Sequence, residues 1–386
     1  MAHSSTLFNQ IVRHLPRSRF EKFVREHHGD RRVRTFFCWK LFLSHIFAQL
    51  SGVDSLRDLE TTFRSKLRGL YHLGLDRFSR STMADANEKR DSAIFEEMFN
   101  ELAMMAQRKA PGHKFKFANP LYSLDSSTIT LCLSMFRWAK FTTRKGALKI
   151  HTLLDHRGHL PSALVITDGK GADIKAARRF RFEPDSMVVV DRAYVDYCWL
   201  YQLCLQGVWW VTRFKKLMAF RILERLPVDR STGVTSDWRI RILGSKADSI
   251  PTDLRRVRYV DPDTGKAYVF FTNIFHLSAK EIADIYKARW DIELFFKWIK
   301  QNLKIKSFFG TSENAVRIQI WCALCVYLML AYLKFLSNSP FSLSKLLVRI
   351  RANLMGRVRL VMVLYQEQSR THSGKVEEQL CLTFGP

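Results

Sequence analysis

Acidic residues are scarce in this sequence of 386 residues. It contains 36 Asp and Glu against 62 Lys and Arg, which gives a formal net charge of +26. A charge of this size repels itself unless a polyanion neutralises it. The imbalance favours nucleic acid as the partner, because each neutralised phosphate also releases counterions. A ribosome-associated protein or a protein of the membrane surface is the alternative that the charge leaves open.

Proline and glycine are also few, with 10 and 17 residues, and the sequence shows neither internal repeats nor low-complexity tracts. These absences exclude a collagen-like or disordered chain, and the apolar fraction of 47% is typical of globular proteins. The length suffices for two or three domains and at least one large core.

Long, purely apolar segments are lacking as well. Met1–Thr6 is polar and no apolar stretch follows it directly, so we expect no signal peptide. The most apolar run, Ile318–Leu336, contains Gln319 and Lys334 and is marginal in length for a membrane span. We interpret it as a buried core helix and expect no membrane partner.

The cysteines form no disulfide framework. Their number is odd and most have apolar neighbours, which predicts reduced thiols in a cytosolic protein. Cys322 and Cys325 have C-x-x-C spacing, but no second ligand pair is nearby in the sequence, so we predict that they are buried and structural. The seven cysteines are Cys38, Cys132, Cys198, Cys204, Cys322, Cys325 and Cys381.

Apolar periodicity divides the chain into four segments. Residues 1–75 predict a helical N-terminal domain and residues 76–118 a helical connector. Residues 119–336 alternate strands and helices, which predicts an α/β domain with a mixed sheet. Within it, residues from about 215 to 277 have the pattern of a β-rich insertion, and residues 337–386 that of a basic helical C-terminal segment.

Three arginines, Arg31, Arg32 and Arg34, lie between the first two predicted helices. They fit a small helical DNA-binding module, and they fit equally a solvated basic loop on a helical bundle. No helix-turn-helix pattern decides between these interpretations.

Two aspartates stand out by their places in predicted strands. Asp125 lies in the first strand of the sheet, and Asp191 ends the wholly apolar strand Val188–Val190. A carboxylate at the end of a buried strand is costly to desolvate unless it is paired or binds a metal. An N-cap of the helix near Tyr194 is the alternative role for Asp191.

A third carboxylate, Glu293, lies on a long helix that begins at a predicted capping box of Ser278 and Glu281 and runs to about Asn302. Intervals of three and four residues place five side chains on one face of this helix. That face therefore combines a phenol, a guanidinium, a carboxylate and two ammonium groups. The five are Tyr286, Arg289, Glu293, Lys297 and Lys300, whereas Asp291 points elsewhere.

Three carboxylates from two strands and a helix suit hydrolysis of a phosphodiester. Two Mg²⁺ ions can activate the water and stabilise the leaving oxygen, and hard ions of this kind prefer oxygen ligands. Asp125, Asp191 and Glu293 are thus the predicted catalytic and metal-binding residues. Arg289 can hold a phosphate with its two-pronged guanidinium, and Lys300 can do so as a point charge.

At these residues the chain resembles the DDE transposases of bacterial insertion sequences. Tyr286-x2-Arg289-x3-Glu293-x6-Lys300 matches the Y-R-E-K signature of the insertion-sequence-four family in all residues and gaps. Asp125, Asp191 and Glu293 are similar to the family's DDE triad, and Asp191-Arg-Ala-Tyr194 is similar to its motif at the second Asp. The resemblance covers about residues 120–335 well and the N-terminal region with much less specific motifs.

The resemblance implies a ribonuclease-H-like catalytic domain, with a β-rich insertion between the second Asp and the Glu, behind a helical N-terminal domain. It implies cut-and-paste transposition with two Mg²⁺ ions, for which Mn²⁺ can substitute, and hairpinned DNA ends in the studied branches. The implied partner is double-stranded DNA, both element ends and target, bound by a homodimer in the bacterial cytoplasm at the nucleoid. The implied DNA contacts are Tyr286, Arg289, Trp290, Lys297 and Lys300, and simple packing is the alternative for Trp290.

Other functions and sites remain as alternatives. Another ribonuclease-H-like DNA endonuclease, or a DNA-binding protein without activity, would share parts of this pattern. His151, His156 and His159 lie in or beside one hairpin, but no set of cysteines or carboxylates in the sequence completes the tetrahedral pattern of a zinc site. An apolar stripe within Phe341–Val363 could form a dimer surface or pack on its own catalytic domain, and we favour the latter.

Overall fold

The computed structural model of the chain describes residues 5–132, 134–139, 146–214, 218–244 and 247–365. Its first part is helical, as the apolar periodicity predicts. Phe20, Phe42 and Phe95 meet in the core of this region, with Phe20 stacked on Phe42. The helices are α1 (Leu7–Val12), α2 (Arg17–Glu26), α3 (Cys38–Ser51), α4 (Leu56–Leu70), α5 (Arg80–Lys89) and α6 (Ala93–Gln107).

A mixed sheet follows, with helices on its faces, as predicted. Its strands are β1 (Leu121–Leu131), β2 (Gly146–Asp155), β3 (Leu160–Asp168), β4 (Met187–Val190), β5 (Trp209–Arg213), β6 (Phe220–Arg225), β7 (Val234–Ile242), β8 (Leu254–Val260) and β9 (Ala267–Thr272). Between them lie helices α7 (Asp173–Ala177) and α8 (Tyr197–Leu205). The nine strands have the order β3-β2-β1-β4-β5-β9-β8-β7-β6.

Strand direction divides this sheet into two parts. β1 is parallel to β4, and β4 to β5, whereas β2 and β3 form an antiparallel hairpin beside β1. The predicted β-rich insertion contributes β6 to β9, all antiparallel to their neighbours. It extends the same sheet because β9 pairs with β5, Val211 opposite Thr272.

The helix that carries Glu293 differs from the single long helix that the sequence predicts. The capping box of Ser278 and Glu281 is present, but α9 (Ala279–Ala288) ends before Arg289 and α10 (Trp290–Asn302) begins after it. At the joint, the Arg289 N–H bonds to the Tyr286 carbonyl and the Ile292 N–H to the Arg289 carbonyl. Both bonds span three residues instead of four, which tightens the backbone at Arg289.

Helix α11 (Glu313–Ser337) is the buried core helix that the sequence predicts. It packs against α3 and α6, and Cys322 and Cys325 within it are fully buried. By length and composition alone it could cross a membrane, but 78% of its most apolar window is buried inside the protein. The cysteines among the described residues are free thiols, and Cys381 lies outside those residues.

The apolar stripe of the C-terminal segment packs on its own chain and is not an open dimer surface. Leu346, Leu347 and Ile350 of α12 (Leu343–Asn353) are buried in one core with the N-terminal helices and α11. Leu354 is buried in the same core and Val358 packs against it. A short α13 (Leu360–Leu364) completes this part of the described chain.

Candidate active site

Strand pairing brings Asp125 and Asp191 to the same level of the sheet. β1 and β4 are parallel and pair Leu124 with Val190, so the aspartate that follows each residue lies one step further on adjacent strands. Neighbouring strands are about 4.8 Å apart. Leu124 and Val190 point into the apolar core beside α8, and because side chains alternate, the two aspartates point to the opposite face. That face is covered by α9, whose Ile282 and Ile285 pack on Val189.

Arg289 joins Asp125 and Glu293 across the interface between β1 and α10. Its Nη1 donates to Asp125 Oδ2 at 3.0 Å, and its Nη2 donates to Glu293 Oε1 at 2.6 Å. The three side chains are 14%, 21% and 35% exposed in the order Arg289, Asp125 and Glu293. The structure therefore brings together Asp125 and Glu293, which the sequence separates widely.

Asp191 also has the local role that the sequence offered as an alternative. Its Oδ1 accepts the Ala193 N–H at 3.0 Å and so caps the short helical turn Arg192–Tyr194. This bond uses one carboxylate oxygen. The N-cap and a ligand role are thus compatible in the same side chain.

Burial and neighbouring charge raise the pKa of Asp125 to about 6. Burial is the largest cause, and the negative charges of Asp191 and Glu293 act in the same direction. The Ser126 N–H, which donates to Asp125 Oδ1 at 2.7 Å, and the Arg289 guanidinium lower this pKa but do not outweigh burial. The site therefore carries more negative charge than its single arginine balances.

This donor set fits a divalent metal of the magnesium class. All three candidate ligands are carboxylates, which hard cations prefer. A bound cation would also offset their excess negative charge. Arg289 Nε is buried and has no hydrogen-bond partner among the described residues, so the guanidinium keeps one donor for a further acceptor.

The candidate DNA contacts occupy different environments. Trp290 is 58% exposed, which does not support simple packing, and Lys297 is exposed on the next turns of α10. Lys300 is half-buried, and burial lowers its pKa. Tyr286 is buried with a hydroxyl that has no partner among the described residues. Arg289 turns inward and contacts the carboxylates of Asp125 and Glu293, whereas the sequence pattern predicts a contact with phosphate.

A cavity of about 370 Å³ opens beside Arg289 and Trp290. Aromatic and basic side chains from β5, the insertion and α9 line it, among them Arg213, Tyr259 and Tyr268. Sequence reasoning missed these three residues because they come from strands that meet α9 only in the folded chain.

A second carboxylate network, also missed, lies on the other side of β1. Ser126 Oγ donates to Asp173 Oδ1 at 2.9 Å, and Lys149 Nζ donates to the same oxygen at 3.0 Å. Asp173 Oδ1 thus accepts two hydrogen bonds and ties α7 to the strand that carries Asp125. Its position in the first turn of α7 gave the only local signal.

Comparison with known proteins gives family matches to two parts of the chain. The model of the transposase DDE domain matches residues 117–329, and a domain of unknown function (DUF4372) matches residues 3–76. A protein of Sinorhizobium fredii named as a transposase, y4zB, is 35% identical over 253 residues, which are 64% of this chain and 69% of that protein.

A second relative is named as the transposase for insertion sequence element IS5377 of Geobacillus stearothermophilus. It is 31% identical over 265 residues, which are 67% of this chain and 68% of that protein. Among solved structures, the piggyBac transposase synaptic complex with hairpin DNA covers 90% of this chain and 78% of its own, with 12% identity and a TM-score of 0.44.

Proposed function

We propose, from the premise that this chain belongs to the DDE transposases of bacterial insertion sequences, that it binds the ends of such an element, cuts the DNA there and joins the ends to target DNA. The observation that carries the proposal is the contact of Asp125 and Glu293 with Arg289, with Asp191 level on the next strand. This arrangement supports a shared site, because Asp191 follows the carboxyl end of β4 at the level of Asp125 in β1.

The fold that we propose for the catalytic part is ribonuclease-H-like. The support is the order β3-β2-β1-β4-β5, in which an antiparallel hairpin flanks three parallel strands. We take residues 119–336 as the catalytic domain, with the insertion at about 215–277. Residues 1–75 would be the helical DNA-binding domain, 76–118 its connector and 337–386 a basic C-terminal segment.

Asp125, Asp191 and Glu293 would hold two Mg²⁺ ions, with Mn²⁺ as a substitute. Bound ions of this kind supply an activated water and stabilise the oxygen that leaves the phosphorus. The chain itself contributes ligands of fixed position, because β1, β4 and α10 are packed elements and not loops.

The carboxylates of the site and a DNA phosphate would compete for Arg289. In the DNA-free chain its guanidinium pairs with both Asp125 and Glu293. When cations balance those carboxylates and a phosphate lies at the site, the same guanidinium is free to grip the phosphate with two N–H groups. Arg289 would thus hold the carboxylates together before DNA binds and hold DNA afterwards.

The other contacts follow the surface of α10. Lys297 and Lys300 would bind backbone phosphates beyond the cut, and Trp290 would stack on a base at the mouth of the cavity that Tyr259 and Tyr268 line. Tyr286 lies beneath Arg289, whose guanidinium carbon is 5.8 Å from the centre of the Tyr286 ring, and would steady that guanidinium. Arg31, Arg32 and Arg34, of which all three are exposed, would add phosphate contacts from the N-terminal region.

The active form would be a homodimer assembled on two DNA ends in the bacterial cytoplasm, at the nucleoid. A chain with a net charge of +26 resists self-association, and DNA phosphates would remove that resistance. The stripe on α12 is buried in its own core, so other surfaces must form the dimer.

The test is an assay of the purified chain with Mg²⁺, DNA that carries the element ends, and a target plasmid. We expect cut ends and their covalent joining to the plasmid. Cutting without joining would instead indicate an endonuclease of another role, and binding alone an inactive DNA-binding protein.

A further inference from the structure

Two histidines and an aspartate converge beside the candidate active site without being part of it. His156 and His159 lie at the turn between β2 and β3, and Asp291 lies in the first turn of α10. One potential ligand atom of each lies within 4.8 Å of those of the other two. His156 Nδ1 is 3.4 Å and His159 Nδ1 is 3.3 Å from the same oxygen, Asp291 Oδ2.

The turn that carries both histidines is fixed in place by its backbone. Gly158 and His159 have φ values of 68° and 55°, in the left-handed region, which folds the tight turn and aims His159 back toward α10. The His156 N–H bonds to the Leu121 carbonyl at 3.0 Å, and the Tyr327 hydroxyl donates to the His159 carbonyl at 2.9 Å. The two imidazoles are therefore held before any ligand arrives.

A buried hydroxyl orients the first imidazole. His156 is 3% exposed, and its Nε2 is 2.8 Å from Ser123 Oγ, which is fully buried. With Nε2–H donating to that hydroxyl, the neutral ring presents the lone pair of Nδ1 to Asp291. Histidines that bind metals are typically oriented in this way, by a hydrogen bond from the ring nitrogen that does not bind.

The separations suit an ion better than direct bonds. A charge-assisted N–H···O bond is about 2.7–2.9 Å long, shorter than both contacts to Asp291. Ligand atoms at about 2.0–2.1 Å from a tetrahedral ion lie about 3.3 Å from one another. The two distances of 3.3 and 3.4 Å match that edge length.

We propose that His156, His159 and Asp291 bind one divalent ion of the zinc class, separate from the ions of Asp125, Asp191 and Glu293. Two imidazole nitrogens and one carboxylate oxygen leave a fourth position for water, and imidazole favours zinc-class ions over Mg²⁺. The ion would tie the β2–β3 turn to α10, two residues from Glu293. It would therefore help to hold Glu293 against β1.

The experiment uses the untagged full-length chain with Asp125→Asn and Glu293→Gln, which disables the candidate active site and leaves the new site intact. Co²⁺ is the probe, because a tetrahedral Co²⁺ site absorbs strongly in the visible range. We expect one equivalent of Co²⁺ to give this absorption, Zn²⁺ to displace it, and Zn²⁺ to raise the melting temperature.

His159→Asn in the same background should abolish both the absorption and the rise in melting temperature. Asparagine tolerates the left-handed backbone at this position, so the turn is kept. The matched control is His276→Asn, which removes an exposed histidine elsewhere and should change neither readout. Asp291→Asn, of nearly equal shape, gives a second test that does not alter the turn.

Absence of tetrahedral Co²⁺ absorption in the background chain would overturn the proposal, as would absorption that survives both His159→Asn and Asp291→Asn. Since the candidate active site is disabled throughout, these results are independent of whether the chain cuts DNA.

Discussion

Two clusters in this chain join an arginine to carboxylates, and they differ in charge balance. The complete cluster, Arg255 with Asp237, is balanced, whereas the incomplete cluster, Arg289 with Asp125, Asp191 and Glu293, has excess negative charge. In the insertion, Arg255 donates to both oxygens of Asp237, at 2.9 and 2.6 Å, and to the carbonyls of Ile274 and Leu277. Both charged side chains are at most 5% exposed. At the candidate active site, Arg289 forms ion pairs with Asp125 and Glu293, and Asp191 lies on the adjacent strand. The Nε of Arg289 has no partner among the described residues.

Charge balance distinguishes a structural ion pair from a binding site. Arg255 and Asp237 balance each other, so removing either leaves a buried charge without a partner. Asp125, Asp191 and Glu293 exceed the charge of Arg289, so this cluster gains from an added cation.

The largest effect should come from Glu293→Gln, which removes a candidate metal ligand and leaves the shape of the side chain. We expect DNA cutting to fall by roughly 10³-fold or more, because metal catalysis supplies several kcal/mol. Binding of the element ends should remain nearly unchanged. Asp284→Asn on α9 is the control that removes an exposed carboxylate and should leave cutting intact. Equal cutting in Mg²⁺ by Glu293→Gln and the wild type would rule out this role.

Breaking the ion pair of the complete cluster should lower the stability of the folded chain. Asp237→Asn leaves Arg255 buried without its countercharge and should reduce the free energy of unfolding by about 3–5 kcal/mol. The matched control, Asp253→Asn, breaks the more exposed pair with Arg241 and should cost less than about 1 kcal/mol. Urea denaturation of both variants measures the difference. Similar losses in the two variants would contradict the distinction between the clusters.

The incomplete cluster should destabilise the metal-free chain at neutral pH. The pKa of Asp125 is raised to about 6 in the folded chain, so folding favours its protonated form. The stability that this gives is present below the unfolded pKa of 3.8 and is lost as the pH rises through about 6. The free energy of unfolding of Asp125→Asn at pH 8 in EDTA should therefore exceed that of the wild type by on the order of 2 kcal/mol.

The same comparison at pH 4 should show a much smaller difference, because Asp125 is then largely protonated in the folded wild type. A stability advantage of Asp125→Asn that does not depend on pH would mean that burial and neighbouring charge do not act on this carboxyl as described.

The smallest effects should come from single phosphate contacts. Arg289→Ala and Lys300→Ala should each lower the slope of log affinity against log salt by about one, since each removes one cation from the DNA interface. Lys280→Ala, at the far end of α9 and paired with Asp284, is the control that should leave the slope unchanged. Binding isotherms at several salt concentrations give the slopes. An unchanged slope in Lys300→Ala would remove this residue from the interface.

Local patterns in the sequence were sufficient to predict the helices, most strands and the capping box before α9. They also placed Asp125 in a strand, Asp191 at the end of another and Glu293 on a helix. They did not predict the joint at Arg289 or its inward turn, because these depend on the contact between Asp125 and α10. The pairing of Asp173 with Lys149, and of Asp291 with two histidines, likewise joins residues that are distant in the chain.

That three carboxylates act together on a divalent metal is a claim best tested at Asp191, because the place of this residue beside Asp125 follows from strand register alone. The measurement is Mn²⁺ binding by electron paramagnetic resonance on chain bound to end DNA, with cutting followed in the same samples. His159→Asn is present throughout, so that the site proposed at His156 and Asp291 does not contribute. We predict that Asp191→Asn keeps DNA binding and loses both Mn²⁺ binding and cutting. Mn²⁺ binding and cutting at the wild-type level in Asp191→Asn would contradict the claim.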